Sequence, residues 1–211
     1  AASSLNAERV AALLAQDCSV AIDAEFVTTV RPVVRILPGG KRLLLQPAVM
    51  RPARVTGVHA SGVTLFDDWI AEDQSEPVAD HLTRWSGVRA GDLSPGEAKH
   101  PLHALFVVQA KVQALLDAGA IIVGHGVDAD FRGLGLHVPA GHIIDTVDLW
   151  RDSSPQARPR ALRHVAAAVL GLTIQTGTHS SAEDATAALQ LWRKYQQVSG
   201  TSELLELIGT L

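Results

Sequence analysis

The chain has a single cysteine, Cys18, among 211 residues. A disulfide framework and a cysteine-rich zinc site are therefore excluded. It lacks an apolar run approaching the ~20 residues that a membrane helix needs. It also lacks the basic-then-apolar opening of a secretory signal. Neither charge sign dominates: 18 Lys and Arg stand against 22 Asp and Glu, for a formal net charge of −4. A whole-chain positive field cannot be the source of any nucleic-acid affinity, which leaves a local patch. Charged residues are only 19% and hydrophobic residues 47%, so long disorder is not expected. The length suits one α/β domain with a sizeable core. The first residue is Ala rather than Met, which suggests a fragment. These features lead us to expect a soluble, intracellular, single-domain protein with no membrane partner.

What is present is an α/β pattern. Residues 4–16 place Leu5, Val10, Leu13 and Leu14 at helical spacing, with Asn6 as a cap. Residues 19–27 (SVAIDAEFV) read as a strand, and 28–46 as a turn-rich stretch holding Pro32, Pro38, Gly39 and Gly40. Residues 54–59 and 62–70 read as a hairpin. A long connection over 71–100 has room for a short helix near 79–85. Helices are predicted over 102–116, after Gly126, over 161–170 and over 182–196, with a short one in the tail at 203–211. Short strands are predicted at 120–123 and 142–144. Strands first, then helices alternating with short strands, predict a central mixed sheet flanked by helices.

Acidic residues inside apolar segments are costly to bury without compensation. Asp23 and Glu25 share one face of the first strand, and no Lys or Arg neighbours them in sequence. Asp130 follows the segment GHGVDA, and Asp184 falls in the first turn of a long helix, five residues after His179. Carboxylates without local cations are what a hard divalent metal such as magnesium selects. Two such ions ~3.5–4 Å apart can clamp a phosphodiester. An imidazole at His179, titrating near neutrality, can accept a proton from an attacking water. Each signal alone has a plainer reading. Asp-x-Glu is common on surface strands, Asp128 competes with Asp130, Asp184 suits a helix N-terminus, and Ser180 or Ser181 with Glu183 or Asp184 suits a cap. Asp145 reads as a helix cap, and His125 as a backbone support or substrate contact. The ordered set Asp-x-Glu, Gly-His-x₄-Asp-Phe, His-x₄-Asp is far more specific.

That set resembles the DEDDh exonucleases, a branch of the ribonuclease H-like superfamily. AIDAEFV (21–27), DDWI (67–70), HLTRWSGVRAGDL (81–93), VGHGVDADFR (123–132), VPAGHIIDTVDLW (138–150) and THSSAEDATAALQLWRKY (178–195) are similar to the nuclease domains of the catalytic subunits of poly(A)-nuclease deadenylase complexes. The resemblance covers about 19–197, leaving 1–18 as an N-terminal helix or linker and 198–211 as a helical tail. It implies a ribonuclease H-like α/β fold and a cytoplasmic 3′→5′ exoribonuclease that shortens mRNA poly(A) tails and releases AMP. Two divalent ions, Mg²⁺ or Mn²⁺, are implied. Carried over, Asp23, Glu25, Asp130 and Asp184 would hold the metals and His179 would be the general base. Ala24, Phe26 and Val27 would meet the terminal nucleotide, with Leu82, Ser86 and His125 nearby. Implied partners are single-stranded RNA, a pseudokinase adaptor subunit and poly(A)-binding protein. The family usually has Asp after the base His, where this chain has Ser180. That departure keeps open other RNA 3′ ends or short oligonucleotides as substrates, and a catalytically silent RNA-binding module is the remaining alternative. The WD-repeat propeller and ubiquitin-hydrolase-like domain of the family do not fit in 211 residues.

Phe26 to Phe66 contains no acidic residue but holds Arg31, Arg35, Lys41, Arg42, Arg51 and Arg54. This segment is expected either to contact RNA phosphates or to be an arginine-solubilised loop. Arg158, Arg160 and Arg163 carry the same ambiguity. Trp69, Trp85, Trp150 and Trp192 are candidate stacking platforms, and the helical spacing of Trp192 predicts burial.

Overall fold

A computed structural model describes residues 6–151 and 158–211. Leu5, assigned above to the first helix, lies outside the described residues. The strands are β1 (Ser19–Val30), β2 (Val33–Ile36), β3 (Arg42–Gln46), β4 (Val49–His59), β5 (Thr64–Ile70), β6 (Leu102–His103), β7 (Ile121–Gly124) and β8 (Ile143–Asp145). The helices are α1 (Ala7–Leu14), α2 (Thr83–Ser86), α3 (Leu105–Asp117), α4 (Asp128–Leu134), α5 (Thr146–Leu149), α6 (Leu162–Val165), α7 (Ser181–Val198) and α8 (Ser202–Gly209). Six strands form one sheet in the order β6-β5-β4-β1-β7-β8. β1 runs antiparallel to β4 and parallel to β7, so the sheet is mixed, as its sequence pattern predicts.

β1 lies inside the sheet because both of its faces are apolar at its start. Val20, Ile22 and Ala24 pack under α3 (Val108, Val112, Leu115) and under Phe131 and Leu134 of α4. Ala21, on the other face, packs with Val58, Val123 and with Ala185 and Leu189 of α7. Period-two alternation then places Asp23 and Glu25 on the α7 face. The pairing of β1 with β4 shifts register between Glu25 and Phe26. Such a bulge re-aims the side chains beyond it, and Val27 joins a separate cluster with Ala53, Val88 and Leu93.

The structure corrects several local expectations. The stretch read as turns over 28–46 contains a two-stranded ribbon, β2–β3. Its prolines and glycines sit at the ribbon's ends and tip, where Gly39 and Gly40 supply positive φ. The ribbon leaves Ile36, Leu43, Leu44 and Leu45 exposed. The helix predicted from residue 102 begins at Leu105, because Leu102 and His103 pair with Trp69 and Ile70 instead. The helix predicted near 79–85 is the four-residue α2. The segment 161–170 starts as α6 and widens into a π turn at Ala166–Leu170. The flanking helices pack onto the body: α1 places Val10, Leu13 and Leu14 against the main core, and α8 places Leu204, Leu207 and Ile208 against a cluster around Trp150. Among the described residues no helix is long and apolar enough to cross a membrane.

Candidate active site

β1 turns Asp23 and Glu25 toward the first turn of α7, which carries Asp184. Oxygens of these three carboxylates lie within 4.8 Å of one another. Asp130, in the first turn of α4, is buried, whereas Asp128 is exposed. The helix phase therefore turns Asp130, and not Asp128, inward. His179 stands two residues ahead of α7, with Nδ1 3.8 Å from Asp184 Oδ2 and a quarter of its side chain exposed. The structure thus gathers the five residues that the sequence singled out.

The electrostatics of this group are those of an uncompensated acidic cluster. Burial, and then the charges of Asp130, Asp184 and Glu25, hold Asp23 well above the usual carboxylate range. Burial and Asp184 push Glu25 up to about 8, against a pull downward from Arg54. Burial raises Asp130 to about 7, although a main-chain hydrogen bond from Ala24 opposes it. Burial raises Asp184 too, and the Gln175 amide and His179 draw it back. Like charges this close cannot all ionise without a counter-charge. Glu25 Oε1 and Asp184 Oδ1 are buried and have no hydrogen-bond partner among the described residues. An all-oxygen donor set with orphaned oxygens fits a hard divalent cation.

The surroundings hold this arrangement in place. Gly87 follows α2 with φ +69°, and a Cβ there would sit 2.7 Å from the main-chain oxygen of His179. A side chain would push the histidine loop away, so glycine is required. Asp145 caps α5 through the Val147 N–H at 2.9 Å, as its sequence context predicts. Its carboxylate also receives the N–H groups of Gly126 (2.9 Å) and Val127 (3.1 Å), which fixes the loop leading into α4. Beside β1, on β4, Arg54 is paired with Asp67 through two contacts of 2.7 Å. Thr56 donates to Asp67 at 3.0 Å and lies 2.7 Å from the Ser181 hydroxyl at the start of α7. Sequence reasoning missed Gln175, Gly87 and this polar chain as parts of the site. Only Gly87 carried a signal, as the glycine of the SGV segment.

The expected substrate contacts are distributed unevenly. The side chains of Ala24 and Val27 are in the core, which leaves their main chain. Phe26 is half-buried, its ring filling the space that a Cβ on Gly133 would need. Leu82 adopts φ +51° just before α2. Ser86 is buried, its hydroxyl donating to the His81 carbonyl at 2.6 Å. Both ring nitrogens of His125 meet protein groups, Thr146 Oγ1 at 2.9 Å and the Arg160 carbonyl at 2.8 Å. Of the four tryptophans, Trp85 is exposed, Trp150 is fully buried and Trp69 and Trp192 are half-buried.

The basic segment is also divided. Arg31 donates to the Ala79 carbonyl, Arg51 pairs with Glu76 and Asp73, and Arg54 is tied to Asp67. These three are engaged within the protein, Arg51 and Arg54 in ion pairs with acidic residues. Arg35, Lys41 and Arg42, on the β2–β3 ribbon, have no ion pair among the described residues.

The exonuclease (RNase_T) family model matches residues 48–192. The PAN2 catalytic subunit of the PAN2-PAN3 deadenylation complex from Yarrowia lipolytica is 40% identical over 176 residues, 83% of this chain and 17% of that protein. Its Homo sapiens counterpart is 39% identical over 184 residues, 85% of this chain and 15% of that protein. The chain thus spans about one sixth of the length of these relatives. The Neurospora crassa Pan2 catalytic unit, a protease and nuclease domain, superposes with a TM-score of 0.76 at 30% identity, covering 92% of this chain and 29% of that one. The Saccharomyces cerevisiae Pan2 pseudoubiquitin hydrolase-RNA exonuclease module in complex with A7 RNA superposes with a TM-score of 0.76 at 31% identity, covering 91% and 30%. The mixed sheet flanked by helices is that of these nucleases, consistent with a ribonuclease H-like fold.

Proposed function

The chain belongs to the exonuclease family, with the PAN2 deadenylation subunits among its relatives, and on that premise we propose that it is a metal-dependent 3′→5′ exoribonuclease acting on poly(A). The carrying observation is the buried carboxylate cluster with two orphaned oxygens and a quarter-exposed histidine at its rim. Residues 19–197 form the nuclease domain in this reading, with α1 and α8 docked on it.

Asp23, Glu25, Asp130 and Asp184 would hold two divalent ions, either Mg²⁺ or Mn²⁺. Bound there, the ions supply positive charge to the phosphodiester oxygens of the terminal linkage. His179 takes the proton of the attacking water. Its Nδ1 faces Asp184 Oδ2 at 3.8 Å. Water adds to phosphorus, the 3′ oxygen of the shortened RNA leaves and is protonated, and the terminal nucleotide departs as AMP. The main chain at Ala24 and Val27 and the ring of Phe26 line the terminal nucleotide, with Leu82 and Ser86 alongside. His125 supports the loop rather than presenting a free nitrogen. Trp85 is the exposed aromatic on the segment that abuts His179, and it suits base stacking. Arg35, Lys41 and Arg42, without an ion pair among the described residues, would meet phosphates further along the strand, each such contact adding ~0.7 to the salt slope of single-strand binding.

In a longer chain of the relatives' kind, the partners would be a pseudokinase adaptor subunit and poly(A)-binding protein, and the compartment the cytoplasm. The Ser180 position favours a second reading, the same chemistry on other RNA 3′ ends. The test is a time course on 5′-labelled RNA ending in ~20 adenosines, longer than the ~4–16 nucleotides of a typical single-strand site. Shortening from the 3′ end that slows at non-adenosines, and that stops with chelator or with Asp23→Ala, supports the deadenylase. Shortening that ignores base identity leaves the second reading, and RNA binding without shortening leaves the silent module.

A further inference from the structure

The two oxygens of Asp184 have different surroundings. Oδ2 accepts the side-chain amide of Gln175 at 2.9 Å and faces His179 Nδ1 at 3.8 Å. Oδ1 is buried without a partner among the described residues, as is Glu25 Oε1 in the same cluster. Gln175 thus occupies one oxygen of Asp184 and leaves the other. We propose that Gln175 is a positioning residue of the metal site, its amide fixing the Asp184 carboxylate so that Oδ1 joins Glu25 and Asp23. This rests on reading those three carboxylates as a cation site.

The backbone of Gln175 supports this independently. It has φ +57°, and among the described residues only Leu82 shares a positive φ without being glycine. A long side chain is a poor choice there, so something about the side chain must outweigh the strain. The Gln175 N–H also donates to Glu183 Oε2 at 3.0 Å. Main chain and side chain together clasp the loop 171–180 onto the first turn of α7. The neighbouring Ile174 packs into the cluster of Val165 and Leu191, which anchors the other side of the clasp. His179 lies within the clasped loop. The donor is a neutral amide, so it orients the carboxylate without placing a competing positive charge beside the cation site. Outer partners of this kind commonly set metal affinity.

The experiment compares the native chain with Gln175→Gly and Gln175→Met. Glycine accepts the positive φ and removes the side chain with its amide, while methionine keeps the length without a donor or a charge. Mn²⁺ binding is read by electron paramagnetic resonance without RNA, and melting temperature is read in chelator. The expected result is a native-like melt for Gln175→Gly, with Mn²⁺ affinity weakened about 10–100-fold. Gln175→Met should weaken it by a similar factor. Native Mn²⁺ affinity in either variant overturns the inference. A native chain that binds no Mn²⁺ overturns the cation-site reading itself, so the two failures are distinguishable.

Discussion

The two halves of the site are built differently. Asp23 and Glu25 ride on β1, hydrogen-bonded to β4 along its length and to β7 at its start, with apolar packing on both faces before them. His179 sits on a loop held by a glycine contact and a side-chain clasp, and Asp184 on the helix turn beside it. The strand half carries mutually repelling charge, so only a rigid frame can keep it assembled. The loop half carries a partly exposed imidazole that must meet solvent and substrate. Rigidity is placed where charge is concentrated, and solvent access where a proton has to travel.

The sharpest way to break this division is Asp23→Asn. Removing a group that gathers several kcal/mol of charge stabilisation should lower the rate of RNA shortening by at least about 10³-fold. The same change should flatten the pH dependence of the metal-free fold. Glu25 titrates near 8 against an ordinary 4.5, and Asp130 near 7 against 3.8. Between those values the folded chain binds more protons than the unfolded one, so stability falls as pH rises. In chelator the native protein should melt higher at pH 5 than at pH 8, and a saturating divalent cation should erase that difference. An unchanged melt from pH 5 to 8 in chelator would mean the cluster is not under charge strain.

His179→Ala probes the loop half alone. Loss of a general base typically costs 10²–10⁴-fold in rate, and Mn²⁺ affinity should stay near native. A large drop in Mn²⁺ affinity would make His179 a ligand and merge the two halves. Gly87→Ala is the milder version. The added Cβ must displace the His179 main chain at a left-handed position, which should cost ~1–3 kcal/mol of stability. A displacement on the order of 1 Å costs up to about 10²-fold in rate, so a loss of about ten- to a hundred-fold is expected, again with metal affinity retained.

The strand half was legible in the sequence and much of the loop half was not. Asp23 and Glu25 announce themselves by sharing a face inside an apolar strand. Asp184 and His179 were legible by spacing, and Asp130 by its place after GHG. The β2–β3 ribbon was not, because Pro32, Pro38, Gly39 and Gly40 read as loop when they delimit strands. Arg51 and Arg54 looked free because Asp73, Glu76 and Asp67 lie far along the chain and meet them only after β4 and β5 fold together. Gln175 shows neither periodicity nor charge, and its role exists only once the loop folds back onto α7.

The smallest expected effect belongs to the contact that joins the halves. The Thr56 hydroxyl has one proton, and it goes to Asp67 at 3.0 Å, so Ser181, 2.7 Å away, is the donor to Thr56. Ser181→Ala removes that donor but leaves Thr56 bonded to Asp67 and Asp67 bonded to Arg54. No buried donor is stranded, and only one acceptor lone pair on Thr56 goes unused. The cost should therefore be about 1 kcal/mol of stability, read as a small shift of the denaturant midpoint, with a rate change within a few-fold. Thr56→Val is the harsher partner, since it removes the acceptor for a fully buried Ser181 and one ligand of Asp67 together. If Ser181→Ala instead lowered the rate as much as Gly87→Ala, the halves would be coupled through this hydroxyl pair and not merely fastened by it.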